Sequence, residues 1–514
     1  MLAATPFLFV TSAYIPSYDA YLYLSGAEGL AAGHGYRAMG VMANKYPPLY
    51  SILLACLSWL PWQPMVVATA LNAALQALGC LATYLFLLPL GGRLHATLAA
   101  AMVGLCNLNL SLVPEPSTHH LYLLLQLLSL TVASRALRDE RPARRDLWTL
   151  GGLIGLAVAT RAAAVALVAG LALAALFVPR DGTPVETTPR VLAERVRKRW
   201  PLVLAALVGL MGAVAYTTIL KSFGPPVKAA PKQVFEGVTY LDEMRAVNHD
   251  SVDLRPIDAR EFLERVQRNA VLYTFSLGRT VVPASGDRPV LAIFLAILAT
   301  LGFARRLLRA PTAVEWFLFP YTAMLLAYPA FGEPYLIPAT PFLFHYVLEL
   351  AAAMGLFVFR ACPAAGKRAA LVVCLLVVAA QTNLNVTLVQ QMRSPRPLLA
   401  ACGQPVVDFV SASLWAREHL PREAVLVATR AAVAGYLAHR PAYSVPLTTD
   451  PDEQLAVLRS LGVTHAIVAA IHRWTHTLLL PLVRARPGCF EPIHAEGACT
   501  VYRVRLPESS DPTK

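Results

Sequence analysis

Charge is what this sequence has least of. Asp, Glu, Lys and Arg make up 15% of its 514 residues, against about 25% in soluble domains, while hydrophobic residues make up 56% and the mean hydropathy is +0.53. That balance excludes a soluble globular chain. Period-2 alternation is missing from the apolar blocks, such as Met65 to Pro89, Leu94 to Val113 and Val290 to Ala304, so the spans are helices and a β-barrel is excluded. The eight cysteines show no CxxC or Cys/His metal spacing, and Cys56, Cys80, Cys106, Cys362 and Cys374 sit in or beside apolar blocks as packing residues. Neither GxGxxG nor GxxxxGK(S/T) occurs where it would bind phosphate, which argues against a nucleotide site. The first apolar block, Leu2 to Ile15, lacks a basic n-region and a convincing cleavage site, so it reads as an uncleaved first helix.

What the sequence does hold is positive charge, with a formal net charge of +13. Lys and Arg gather between apolar blocks and form no single basic face with interleaved aromatics, so topology explains the charge and no nucleic-acid partner is expected. Apolar blocks read against breakers give eleven spans: about 2–16, 64–90, 94–112, 119–134, 147–160, 162–178, 201–220, 289–304, 314–330, 336–358 and 369–389. Positive charge is retained on the cytoplasmic side. With the first connection facing outward, the inward connections hold eighteen Lys and Arg residues, among them Arg135, Arg138, Arg195, Arg199, Arg306 and Arg309. The short outward ones hold only Arg37, Lys45 and Arg161. This alternation requires that 147–178 be two helices, and it places the C-terminus outside.

The expected architecture is a polytopic α-helical membrane domain over 1–392, with outer loops at about 17–63 and 221–288. A soluble α/β domain over 393–514 follows on the outer face. In that domain 406–419, 431–437 and 451–461 read as helices, 424–428, 443–445 and 466–470 as strands, and 490–505 as a closing hairpin. Cys489 and Cys499 flank the hairpin in a compartment that permits disulfides, and they are expected to pair.

The first outer segment reads Tyr18-Asp19-Ala20-Tyr21-Leu22-Tyr23, then Gly33-His34-Gly35-Tyr36, then Lys45-Tyr46-Pro47-Pro48-Leu49-Tyr50. An acid just after a membrane helix, where head groups meet water, suits a base acting on a lipid-linked substrate; the bland alternative is that Asp19 caps the next helix. The pattern resembles the first outer loop of GT-C fold glycosyltransferases, in particular bacterial relatives of the protein O-mannosyltransferases and of the aminoarabinose transferase that modifies lipid A. Gly155-Leu156-Ala157 to Thr160-Arg161 and Tyr335-Leu336-Ile337-Pro338 resemble two further segments of that superfamily.

The resemblance implies transfer of a sugar from a polyprenyl-phosphate-linked donor to a glycan, lipid or protein acceptor on the outer face of the cell inner membrane, usually with inversion. It assigns Asp19 as the base, and Lys45 and Arg161, on the same outward side, are the candidates for holding the donor phosphate. Glu115 is a second catalytic candidate, and His119, His120 and Tyr335 are further candidates. No cofactor is required by this chemistry, and a divalent metal stays open, with Glu115, His119 and His120 as one candidate ligand set. The sequence departs from the pattern at Ala20, where a second acid is common. It departs again at His119 and His120, where an acid usually stands, and at Pro334, which replaces an Arg and follows Glu333. Two other readings compete: a multi-span transporter or flippase, for which mid-span ionisable residues are scarce, and a non-catalytic scaffold whose outer domain binds a partner.

Overall fold

The computed structural model describes residues 2–13, 18–38, 41–42, 46–139, 142–179, 188–222, 230–246, 255–283, 288–358, 363–394 and 396–506. Its helices in chain order begin with α1 (Tyr18–Ala31), α2 (Leu49–Cys56), α3 (Pro64–Leu105), α4 (Asn107–Ser111), α5 (His119–Arg138), α6 (Arg144–Thr160) and α7 (Val165–Phe177). They continue with α8 (Pro189–Ser222), α9 (Tyr240–Arg245), α10 (Ala259–Val281), α11 (Pro289–Arg309), α12 (Ala313–Ala327), α13 (Thr340–Val358) and α14 (Pro363–Met392). Last come α15 (Pro397–Cys402), α16 (Gln404–His419), α17 (Ala431–Ala438), α18 (Pro451–Ser460) and α19 (Leu480–Ala485). The strands are β1 (Arg37–Ala38), β2 (Val41–Met42), β3 (Leu426–Ala428), β4 (Ala442–Tyr443), β5 (His465–Ala469), β6 (Phe490–Glu496) and β7 (Cys499–Val504).

The chain divides into two compact units. The first comprises Met1–Val10, Ala68–Thr218 and Ala259–Gln390; the second comprises Thr11–Val67, Ile219–Asp258 and Gln391–Lys514.

Among the described residues five helical stretches are long and apolar enough to cross a membrane: Pro64–Ser111, His119–Arg138, Pro189–Ser222, Pro289–Arg309 and Glu333–Val358. Two shorter apolar helices, Ala162–Phe177 and Ala313–Ala327, accompany them, and the chain is a multi-pass membrane protein. Residues 64–90 and 94–112, expected as two spans, follow one another through α3, where Gly92 breaks the helical geometry at φ 76°. Residues 147–178 do divide in two: α6 ends at Thr160, and Arg161 is extended at φ −150°, ψ 134°. The expected first span is shorter than anticipated. Leu2–Phe9 forms a 3-10 helix containing Pro6, about 16 Å long at 2.0 Å per residue, and residues 14–17 lie outside the described set.

Helices in lipid gain little from hydrophobic contact with one another, so close backbone approach matters more. Gly170 on α7 shows this: a Cβ there would lie 2.5 Å from the Phe317 Cα on α12. Buried amides fasten loops to helices, as where Gln126 donates to the Pro338 carbonyl at 2.8 Å and Asn72 to the Glu115 carbonyl at 2.6 Å.

Within 221–288, read as a polar outer segment with some helix, the structure shows one long helix. Ala259–Val281 is a 23-residue helix packed on α11 and α12. Part of its polarity is spent on the bundle, with Arg265 and Asn269 buried. Arg265 donates to Ala327 O (3.2 Å), Arg268 to Pro329 O (3.1 Å), and Asn269 to Leu326 O (3.0 Å) and Tyr328 O (2.8 Å). These donors satisfy carbonyls at and just beyond the end of α12, where main-chain oxygens lack intrahelical partners.

In the second unit β3 to β7 form a five-stranded sheet in the order β4-β3-β5-β7-β6, with β3 parallel to β4 and β5, and β7 antiparallel to β5 and β6. Its core includes Val427, Val445, Leu458, Ala466, Leu479 and Phe490, and Val238 from the segment before α9 joins it. That segment is tied down further by Glu236, whose carboxylate accepts from the Ser444 hydroxyl at 2.7 Å and amide at 3.1 Å. The expected disulfide is absent: Cys489 and Cys499 are both free thiols. The register explains it. Cys489 precedes Phe490, which pairs with Val504, whereas Cys499 pairs with Glu496 at the turn, so the two lie about 20 Å apart along the hairpin. Burial, with the Asp408 and Glu496 charges adding to it, pushes the Cys499 thiol up to about 12, which makes it unreactive.

Candidate functional site

In the second unit Asp19 lies in the first turn of α1, half-buried, where a negative charge complements the helix N-terminus. The Tyr46 hydroxyl donates to Asp19 Oδ1 at 2.8 Å. Among the described residues Oδ2 has no hydrogen-bond partner. Aromatic packing explains how Tyr46 reaches it. Tyr23, one helical turn beyond Asp19, packs edge-on against Tyr46 (5.7 Å) and Tyr50 (5.4 Å), and Ser51 on α2 donates to the Tyr23 carbonyl at 2.9 Å. On another side of α1, Tyr21 meets Tyr436 of α17 at 5.3 Å, and burial raises the pKa of Glu28, opposed by the Tyr436 hydroxyl and the Arg417 charge. Lys45 lies outside the described residues.

In the first unit, three of the sequence candidates come together. Arg161 Nη1 donates to Thr118 Oγ1 at 3.0 Å and lies 3.2 and 3.3 Å from the two ring nitrogens of His119, while its guanidinium carbon stands 5.5 Å from the Tyr335 ring centre. The helix break at Arg161 and the start of α5 supply two walls of this cluster. The third is the 3-10 segment Glu333–Ala339, whose Tyr335 carbonyl accepts from the Tyr321 hydroxyl at 2.7 Å. A permanently charged planar fork over an aromatic face is a fitting arrangement for a phosphate oxyanion.

Two candidates are placed elsewhere. His120 is fully buried and bonds to the Asn109 carbonyl at 2.9 Å, so it holds α4 against α5. Glu115 is half-buried in the loop before α5, its carbonyl held by Asn72. The metal set imagined from Glu115, His119 and His120 does not form, because His119 faces Arg161 while His120 faces Asn109 O. Among the described residues no three His, Cys, Asp or Glu side chains gather as metal ligands.

The sequence reading missed Arg279. It forms an ion pair with Glu333 at 3.0 Å, and Ser276 donates to the same carboxylate oxygen at 3.2 Å. A cation therefore returns next to Pro334, supplied from α10 instead of from the Tyr335 segment. The only signal in the sequence was the unexplained acid at Glu333.

No protein-family model matches the chain, and no curated protein matches its sequence. Solved structures do. ArnT from Cupriavidus metallidurans bound to undecaprenyl phosphate superposes with a TM-score of 0.55 over 98% of this chain and 96% of its own, at 12% identity. The chain has the GT-C fold. The archaeal oligosaccharyltransferase AglB from Archaeoglobus fulgidus, in complex with an inhibitory peptide and a dolichol-phosphate, shares this GT-C architecture. It matches at a TM-score of 0.55 and 13% identity, over 91% of this chain and 68% of its own.

Proposed function

We propose that this GT-C protein is a membrane glycosyltransferase that moves a sugar from a polyprenyl-phosphate-linked donor to an acceptor hydroxyl on the outer face of the cell inner membrane, with inversion. The observation that carries the reading is the agreement, over nearly the whole of both chains, with a structure that holds undecaprenyl phosphate.

Asp19 is the general base. The acceptor oxygen bonds to the anomeric carbon as the bond from that carbon to the phosphate oxygen breaks, and the hydroxyl proton passes to the carboxylate. Tyr46 occupies Oδ1 and leaves Oδ2 for the acceptor. The leaving group is already a phosphate, so no general acid is needed. Its oxyanion is stabilised by Arg161, with Lys45 as a second cation, and Tyr335 provides the aromatic floor under the guanidinium.

The test uses purified protein with a panel of polyprenyl-phosphate sugars and mass spectrometry of the released carrier. Asp19→Asn should lower turnover by about 100-fold to 10,000-fold with donor binding preserved. Near-normal turnover in that variant would remove Asp19 as the base and make Glu115 the next candidate.

A further inference from the structure

A cavity of about 620 Å³ opens in the first unit at the end opposite Arg161, where α5, α7 and α11 finish and α12 begins. α5 carries His119 at one end and Arg138 at the other, about 28 Å apart at 1.5 Å per residue, close to the thickness of a bilayer's hydrocarbon core. Arg135, Arg138, Arg306 and Arg309 line one part of the cavity, and Leu85, Phe86, Pro89, Leu90 and Val178 line another.

Arginine in the last turn of a helix is ordinary, since it offsets the macrodipole. That accounts for single residues on α5 and α11. It does not account for four guanidinium groups gathered round one hollow with a greasy wall. The acids nearby reach only two of them. Glu349 pairs with Arg306 at 3.1 Å, and Asp146 stands 4.0 Å from Arg135. Glu315 is taken up by the Thr312 amide and hydroxyl (both 2.6 Å) and by the Tyr346 hydroxyl (2.8 Å). Among the described residues Arg138 and Arg309 have neither an ion pair nor a side-chain hydrogen bond. Leu85, on the apolar wall, is 55% exposed, so the hollow opens onto the lipid-facing surface.

We infer that this cavity binds the phosphate headgroup of an anionic phospholipid from the inward leaflet, with Arg138 and Arg309 as the phosphate donors and Phe86 and Leu90 against the glycerol and upper acyl carbons. A soluble anion would need the cations but not the apolar wall, and a zwitterionic lipid would need the wall but not two arginines without an acid partner among the described residues. The inference is independent of the proposed glycosyl transfer.

Native mass spectrometry of the delipidated full chain tests it, with phosphatidylglycerol and phosphatidylcholine of the same acyl chains as probes. The wild type should retain one phosphatidylglycerol in preference to phosphatidylcholine, and R138Q/R309Q should lose roughly 30-fold of that preference, from about 1 kcal/mol per arginine. If the double variant does not fold, R138Q and R309Q singly should each lose about five-fold. The control R144Q/R145Q, at the start of α6, should keep the preference. Equal retention of both lipids by the wild type, an equal loss in the control, or displacement of phosphatidylglycerol by millimolar inorganic phosphate would each overturn the proposal.

Discussion

Arg199 and Arg161 sit at opposite ends of the same helical unit and are used differently. Arg199 is 3% exposed and donates to three main-chain carbonyls: Val178 at 2.7 Å, Leu137 at 3.0 Å and Ala175 at 3.3 Å. It closes the C-terminal ends of α5 and α7 together. Arg161 is half-buried, and among its partners are a hydroxyl, an imidazole and a tyrosine ring. Both count equally as one charge when topology is read from sequence. Main-chain partners bind a residue to the fold, whereas side-chain partners can turn aside for a ligand. The second unit repeats the contrast with acids. Asp242 is consumed by a capping box with Thr239 and by Lys232 at 3.0 Å, while among the described residues Asp19 accepts at Oδ1 alone.

Replacing Arg199 by Met should have the largest effect on stability. It leaves three carbonyls without a donor at about 1–3 kcal/mol each, less what relaxation recovers, so about 3 kcal/mol is expected. Thermal unfolding in detergent measures it, and a change under about 1 kcal/mol would erase the distinction between the two arginines. Arg161→Ala should do the reverse: donor affinity falls about ten-fold while stability shifts by under about 1 kcal/mol. A titration of binding beside the melting curve separates the two.

The smallest effect is expected at Asp242, which its Thr239 hydrogen bonds, with Lys232, hold at about 2. Its contribution is present above the ordinary carboxylate range and is lost as pH falls toward 2. Asp242→Asn should cost about 1 kcal/mol near pH 6, as capping residues do, and the gap to wild type should narrow on acidification. A gap that stays constant between pH 6 and 3 would show that the charge contributes nothing there.

Much of this was legible in the sequence where a local signal existed. Charge alternation alone required a break within 147–178, and the break falls at Arg161, the residue the resemblance had singled out. Strand and helix positions after residue 404 were close because each short apolar run there is bounded by turn residues. The sheet order was not legible, since nothing local says that β5 lies between β3 and β7. Nor was α10. Arg265 and Asn269 resemble part of a solvated face, and only the carbonyls they meet reveal that they are buried. The Arg161 cluster needed contacts across 42 and 43 positions, to His119 and Thr118, which pattern reading cannot supply.

The carbonyls at the end of α12 have one more consequence, for biosynthesis. A carbonyl left without a donor in lipid costs several kcal/mol, so a helix ending there needs its donors at hand. Arg265, Arg268 and Asn269 precede α12 in the chain and leave the ribosome before it. The same is not true of α5 and α7, whose shared clasp, Arg199, is translated after both. In order of synthesis, then, α12 follows its clasp, whereas α5 and α7 precede theirs.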